Sequence, residues 1–141
     1  RESKDAIASE SVEAILRAVT ERIGTMDTII LSDYGKGVIT DALAQGVIAL
    51  AKRHGVRVLV DPKGTEYEKY HGAHLLTPNK KEAARASGVE INDDSSLEKA
   101  ANNILENIGL DNLLITCGKD GMVLFEKNNL PGKTIFLIDS C

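Results

Sequence analysis

The sequence predicts an α/β layer, a mostly parallel sheet between helices that turns antiparallel at its C-terminal edge. Three observations predict it. Short apolar runs alternate with helical stripes along the chain. Residues 28–60 read as strand, helix, strand, which implies parallel pairing and a right-handed crossover. Near the end, two apolar runs flank a tight turn over residues 117–121, as an antiparallel pair would.

The elements follow in order. Val12, Ile15, Leu16, Val19 and Ile23 fall at helical spacing, with Ser9 or Ser11 as the cap and Gly24 as the stop. Residues 28–31 are a buried strand, and residues 33–37 a loop by composition. Leu43, Val47, Leu50 and Ala51 form a second stripe, ended by Gly55. Residues 56–60 make the next strand, and Leu75-Leu76 a short one. Asn79 opens a helix that runs to Ser87 before Gly88. Ser95 and Glu98 have capping-box spacing. Behind them Leu97, Ala100, Ala101, Ile104, Leu105 and Ile108 form the cleanest amphipathic stripe. Residues 113–116 and 122–125 are strands, 128–129 a turn, and 134–138 a last strand.

Size and charge narrow the function classes. The 141 residues suffice for one domain with a real core. Seventeen basic against 21 acidic residues give −4, which argues against a nucleic-acid surface held by bulk charge. No apolar run reaches the roughly 20 residues that cross a bilayer. Two cysteines, Cys117 and Cys141, make no disulfide framework, so a cytoplasmic setting is expected. Arg1 and the apolar run just before Cys141 read as the ends of a piece of a larger protein.

Polar groups collect where strands end, which is where open α/β sheets bind ligands. Asn79 and Glu82 could orient phosphates and hold Mg²⁺ through water at a helix start. The same spacing is also a capping box, and spacing alone favours that. Asp61 before Pro62 is a turn opener, while Lys63 beside Gly64 could clamp a phosphoryl group. Asp33, Lys36, Gly35 and Gly37 form a glycine loop after a strand. It begins like a dinucleotide fingerprint, with Asp61 as the ribose acid, but Thr40 replaces the third glycine. Residues 116–121 are either a hairpin turn or a backbone wall against a nucleotide. His71 and His74 lack metal partners at suitable spacing, and Cys117 has no base beside it.

Taken in order, residues 31–37 (LSDYGKG), 60–65 (VDPKGT), 76–82 (LTPNKKE) and 116–121 (TCGKDG) resemble the ribokinase-like (PfkB) carbohydrate kinases, nearest their heptose 7-phosphate kinases. The resemblance implies a three-layer fold, incomplete at both ends here, with residues 1–141 the central to C-terminal part of one kinase domain. It implies ATP and Mg²⁺ as cofactors, a sugar phosphate as substrate, and a homodimer as candidate assembly. No nucleic-acid or membrane partner is expected.

The implied reaction phosphorylates D-glycero-β-D-manno-heptose 7-phosphate at its anomeric hydroxyl, toward ADP-heptose for lipopolysaccharide core. The alternative is a nucleotide-binding α/β module, non-catalytic or dinucleotide-binding. By resemblance, Asn79, Lys80, Lys81, Glu82, Thr116, Gly118 and Gly121 face the nucleotide, and Glu82 serves the metal through water. Lys63 lies near the transferring phosphoryl group, and Asp33 and Lys36 toward the acceptor. The family's lid is expected upstream of Arg1. Its general base, an Asp in a Gly-Ala-Gly-Asp motif, is absent from these 141 residues and expected beyond Cys141. Without that base the piece alone is expected to be inactive, and residues 128–141 match the family poorly.

Overall fold

The computed structural model describes residues 8–127. Along them run α1 (Ser9–Arg22), β1 (Thr28–Ser32), α2 (Asp41–His54), β2 (Arg57–Asp61), β3 (Leu75–Leu76), α3 (Lys80–Ser87), α4 (Asp94–Ile108), β4 (Asn112–Thr116) and β5 (Met122–Glu126). The sheet order is β1-β2-β3-β4-β5. The first four strands are parallel, and β5 returns antiparallel on β4. This matches the expected α/β class and its antiparallel edge.

Register builds one dry row across the sheet. Leu31 pairs with Val60, Val60 with Leu76, Leu76 with Leu113, and Leu113 with Phe125. All five are buried, and each leucine removed from water contributes about 2–3 kcal/mol. Ala44, Val47, Ile48 and Ala51 of α2 join the same core, as do Ala101, Ile104, Leu105 and Ile108 of α4. The alternate row faces the other way. There Ile30, Leu59 and Leu75 share a register, and Ile30 is 71 % exposed. The cause is topological: right-handed crossovers that step one way along a sheet arch over one face. Among the described residues, helices therefore cover one side.

Some expectations at the helix ends need correction. Neither Ser9 nor Ser11 caps α1; Ala8 occupies that position with no side-chain bond, and both serines lie in the first turn. Gly24 is not a left-handed stop, because α1 passes into a 3-10 turn over Ile23–Thr25. Helix α4 is capped by Asp93 with Ser96, two residues ahead of the expected Ser95 and Glu98. The Asp93 carboxylate accepts from the Ser96 amide at 2.8 Å, and the Ser96 hydroxyl accepts from the Asp93 amide at 3.0 Å. A short acid upstream reached the third amide first and fixed the start. Gly55 and Gly88 do end α2 and α3 in the left-handed conformation, each with φ of 68°. The turn and strand expected at 128–129 and 134–138 lie outside the described residues.

Candidate active site at the carboxyl edge of the sheet

Parallel strands deliver their carboxyl ends to one edge. Four loops therefore meet there, after β1, β2, β3 and β4. Pro78, fully buried, accepts from the Thr116 amide at 3.0 Å, and Asn79 forms a bridge with Thr116. That contact brings the start of α3 against the end of β4, across 37 residues of sequence. Beside it lies a cavity of about 550 Å³. Five residues expected to face a nucleotide line it: Asn79, Lys80, Lys81, Thr116 and Gly118. Cys117, from the segment read as a wall, adds apolar surface, as do Ile91 and Ala84, which were not anticipated from sequence. Burial pushes the half-buried Cys117 thiol above its ordinary pKa, so it suits wall better than nucleophile.

Glu82 and Gly121 do not line this cavity. Asn79 and Glu82 form the complete capping box that spacing allowed. The Asn79 side chain accepts from the Glu82 amide at 2.9 Å, and Glu82 Oε2 accepts from the Asn79 amide at 3.0 Å. Gly121 is buried and closes the hairpin: its carbonyl accepts from the Cys117 amide at 2.8 Å, and its φ of 85° suits only glycine. A metal cage made by protein alone is missing, since no group of three acidic, His or Cys side chains converges among the described residues. A hydrated Mg²⁺ takes one or two carboxylates and otherwise phosphates and water, so such an ion needs no cage of protein ligands.

Asp33 is placed differently from a free sugar ligand. It is 6 % exposed, and both carboxylate oxygens are engaged. Oδ2 accepts from Lys69 Nζ and from the Tyr70 hydroxyl, each at 2.5 Å, and Oδ1 accepts from the Gly35 amide at 2.8 Å. Burial alone would raise this carboxyl, but those donors outweigh it and hold its pKa below the ordinary value. Burial and the Asp33 charge in turn push the Tyr70 phenol well up. Lys69 and Tyr70 were not singled out from sequence. Lys36 and Lys63 are exposed on the two loops that meet here. A side chain at Gly35 would sit 3.4 Å from Lys63 Cγ, so the β1 loop lies on the β2 loop.

The dinucleotide alternative loses its geometry. Thr40 is the cap of α2, its hydroxyl accepting from the Leu43 amide at 3.1 Å. Among the described residues, strand β1 pairs only with β2, and the sheet steps one way from β1 to β4 without a reversal of strand order.

Comparison with known proteins agrees with the α/β fold. A family model described as pfkB family carbohydrate kinase matches residues 4–137, which corrects the expectation that the family match fails from residue 128 onward. The bifunctional protein HldE of Desulfatibacillum aliphaticivorans is 51 % identical over 131 residues, covering 93 % of this chain and 27 % of that protein. The protein of the same name from Sulfurimonas denitrificans is 45 % identical over 126 residues, covering 89 % and 26 %. The chain thus spans about a quarter of the length of the curated relatives it matches. Among solved structures, Escherichia coli phosphofructokinase-2 in complex with potassium superposes with a TM-score of 0.70. It is 21 % identical, with 91 % of this chain and 44 % of that one covered. Arabidopsis thaliana ribokinase complexed with ribose and ATP gives 0.63 at 20 % identity, covering 94 % and 40 %. Among the described residues no helix is long and apolar enough to cross a membrane.

Proposed function

This chain belongs to the pfkB family of carbohydrate kinases, and from that premise we propose that it is the central to C-terminal part of a sugar-kinase domain. The longer parent protein would use ATP to phosphorylate D-glycero-β-D-manno-heptose 7-phosphate at its anomeric hydroxyl, in the cytoplasm, on the way to ADP-heptose. The observation that supports this most is the Asn79–Thr116 bridge, which assembles five of the expected nucleotide residues on one cavity.

Phosphoryl transfer is mainly positioning and charge neutralisation, and the edge offers both. ATP supplies the phosphoryl group, and Mg²⁺ neutralises the charge on its phosphates. Asn79, Lys80, Lys81 and Thr116 would orient the donor, and Glu82 would hold the metal through water. Lys63 and Lys36 stand on the loops after β2 and β1. Neighbouring strands are about 4.8 Å apart, so the β2 end that leads to Lys63 stands roughly 10 Å across the edge from the β4 end. A triphosphate spans that gap. The acceptor sugar phosphate would lie on the Lys36 side.

The deciding experiment is a substrate panel on the parent protein with Mg·ATP. Preferential turnover of heptose 7-phosphate is expected. Faster turnover of ribose or of a fructose phosphate would overturn the substrate. ATP binding without transfer to any sugar would leave a nucleotide-binding module. The 141-residue piece lacks the family's Gly-Ala-Gly-Asp base, so it should transfer nothing above background.

A further inference from the structure

The amino edge of the sheet, where the parallel strands begin, carries a cavity that the activity proposed above does not use. It measures about 90 Å³. Ile48, Val56 and Val58 form its apolar wall. Its charged groups come from separate elements: Lys52 from the last turn of α2, Arg57 from the first position of β2, and Asp111 from the residue before β4. Two cations therefore face one acid, an excess of one positive charge in a chain whose net charge is −4.

Neither cation is matched within the fold. Among the described residues the ion pairs are Lys69 with Asp33 and His74 with Asp111, and neither Lys52 nor Arg57 joins one. Asp111 is engaged by His74, whose Nδ1 donates to its Oδ2 at 3.1 Å. Asn112 Nδ2 donates to the other ring nitrogen at 3.3 Å, so the imidazole is held on both sides. Lys52 is placed as well. A Cβ at Gly72 would lie 2.5 Å from Lys52 Nζ and 3.3 Å from its Cε, so the ammonium rests over bare glycine backbone beside the cavity. A lysine in the last turn of a helix complements the helix dipole. That accounts for Lys52 alone and leaves Arg57, on a strand, without a structural partner.

We propose that this cavity binds one tetrahedral oxyanion of the phosphate class, held by Lys52 Nζ and the Arg57 guanidinium. An arginine fork matches the edge of an oxyanion, and a lysine ammonium adds a point charge. Size sets the class. The cavity has room for a few waters, whereas pockets that enclose a nucleotide or drug-sized molecule start near roughly 300 Å³. The ion is free phosphate, or the terminal phosphate of a molecule whose remainder stays in solvent. The site stands at the opposite end of the strands from Asn79 and Thr116, so it does not depend on the kinase reading. Inorganic phosphate, titrated into the 15N-labelled 141-residue chain with chloride balancing the ionic strength, provides the test. The Arg57, Gly72 and His74 amide signals should shift together on one saturable curve, independent of the Asn79 and Thr116 signals. Lys52→Gln and Arg57→Gln, both at exposed side chains, should each weaken binding at least about 10-fold, the least expected for losing a hydrogen bond to a charged group. Absence of saturation, an equal shift with chloride alone, or affinity unchanged in both variants would overturn the proposal. Glycerol phosphate then distinguishes the sources. Affinity matching that of free phosphate supports a phosphomonoester as the ligand, and rejection of the ester supports the free ion.

Discussion

Glu82 closes a capping box and is also proposed to serve a metal, and one substitution series separates the two roles. The cap consists of two exposed reciprocal bonds, at 2.9 Å and 3.0 Å. Asn79→Ala removes the stronger capping acceptor and should cost about 1 kcal/mol. Glu82→Ala removes the returning bond, about 0.5–1 kcal/mol for an exposed hydrogen bond. It also removes a carboxylate from the positive end of α3, about 0.3–1 kcal/mol more. Glu82→Gln keeps an acceptor oxygen in place and loses only that second contribution. Urea unfolding of this chain should therefore rank wild type, then Glu82→Gln, then Glu82→Ala. Activity should group differently. Without charge, both Glu82 variants of the parent protein should lose about 10–100-fold in kcat at saturating Mg·ATP, the usual effect of removing an outer-sphere metal partner. If Glu82→Gln kept full activity while Glu82→Ala lost it, only the cap would matter and the metal role would be refuted.

The remaining expectations concern the buried pair and the cavity wall. Lys69→Met leaves Asp33 buried without its cation and should destabilise the chain by about 3–5 kcal/mol, part of which Asp33→Asn in the same chain should recover. A loss below about 1 kcal/mol in urea would mean that solvent reaches Asp33 freely. The folded-state pKa of Asp33 is depressed, so the unfolded chain binds the extra proton and stability rises with pH. This contribution is complete above the unfolded value of about 3.9 and disappears as pH falls through the folded one. Asp33→Asn should therefore flatten the acid limb of a stability–pH curve, and an unchanged limb would assign acid unfolding to other carboxyls. Cys117, with its raised thiol pKa, should alkylate slowly near neutrality and faster in alkali. Mg·ATP should slow the reaction further if it fills the 550 Å³ cavity.

Most of the framework was readable because it is periodic. The stripe of Leu97, Ala100, Ala101, Ile104, Leu105 and Ile108 is buried throughout, as amphipathic spacing requires. The loops at the strand ends announced themselves by Pro, Gly and Asn. What escaped was set by distance along the chain. Lys69 and Tyr70 lie in a single 3-10 turn over Glu68–Tyr70, and their contacts to Asp33 span 36 and 37 residues, with no local pattern to mark them. Ile91 walls the cavity from the link between α3 and α4, a link whose sequence specifies a turn but not what faces it. The cap of α4 was misplaced because Ser95 and Asp93 are both good capping residues, and only the fold chooses between them.

The tyrosines have an optical consequence. The chain contains no tryptophan and three tyrosines. Tyr67 and Tyr70 are buried with their rings 6.2 Å apart, whereas Tyr34 is 75 % exposed on the β1 loop. The near-ultraviolet spectrum is thus a local one, dominated by rings on the two loops that carry Lys36 and Lys63. Of the two buried phenols, Tyr70 is tied to Asp33, and the Tyr67 hydroxyl is buried with no partner among the described residues. Difference spectra on adding a sugar phosphate would report this corner of the molecule without a label, while helices α3 and α4 stay dark.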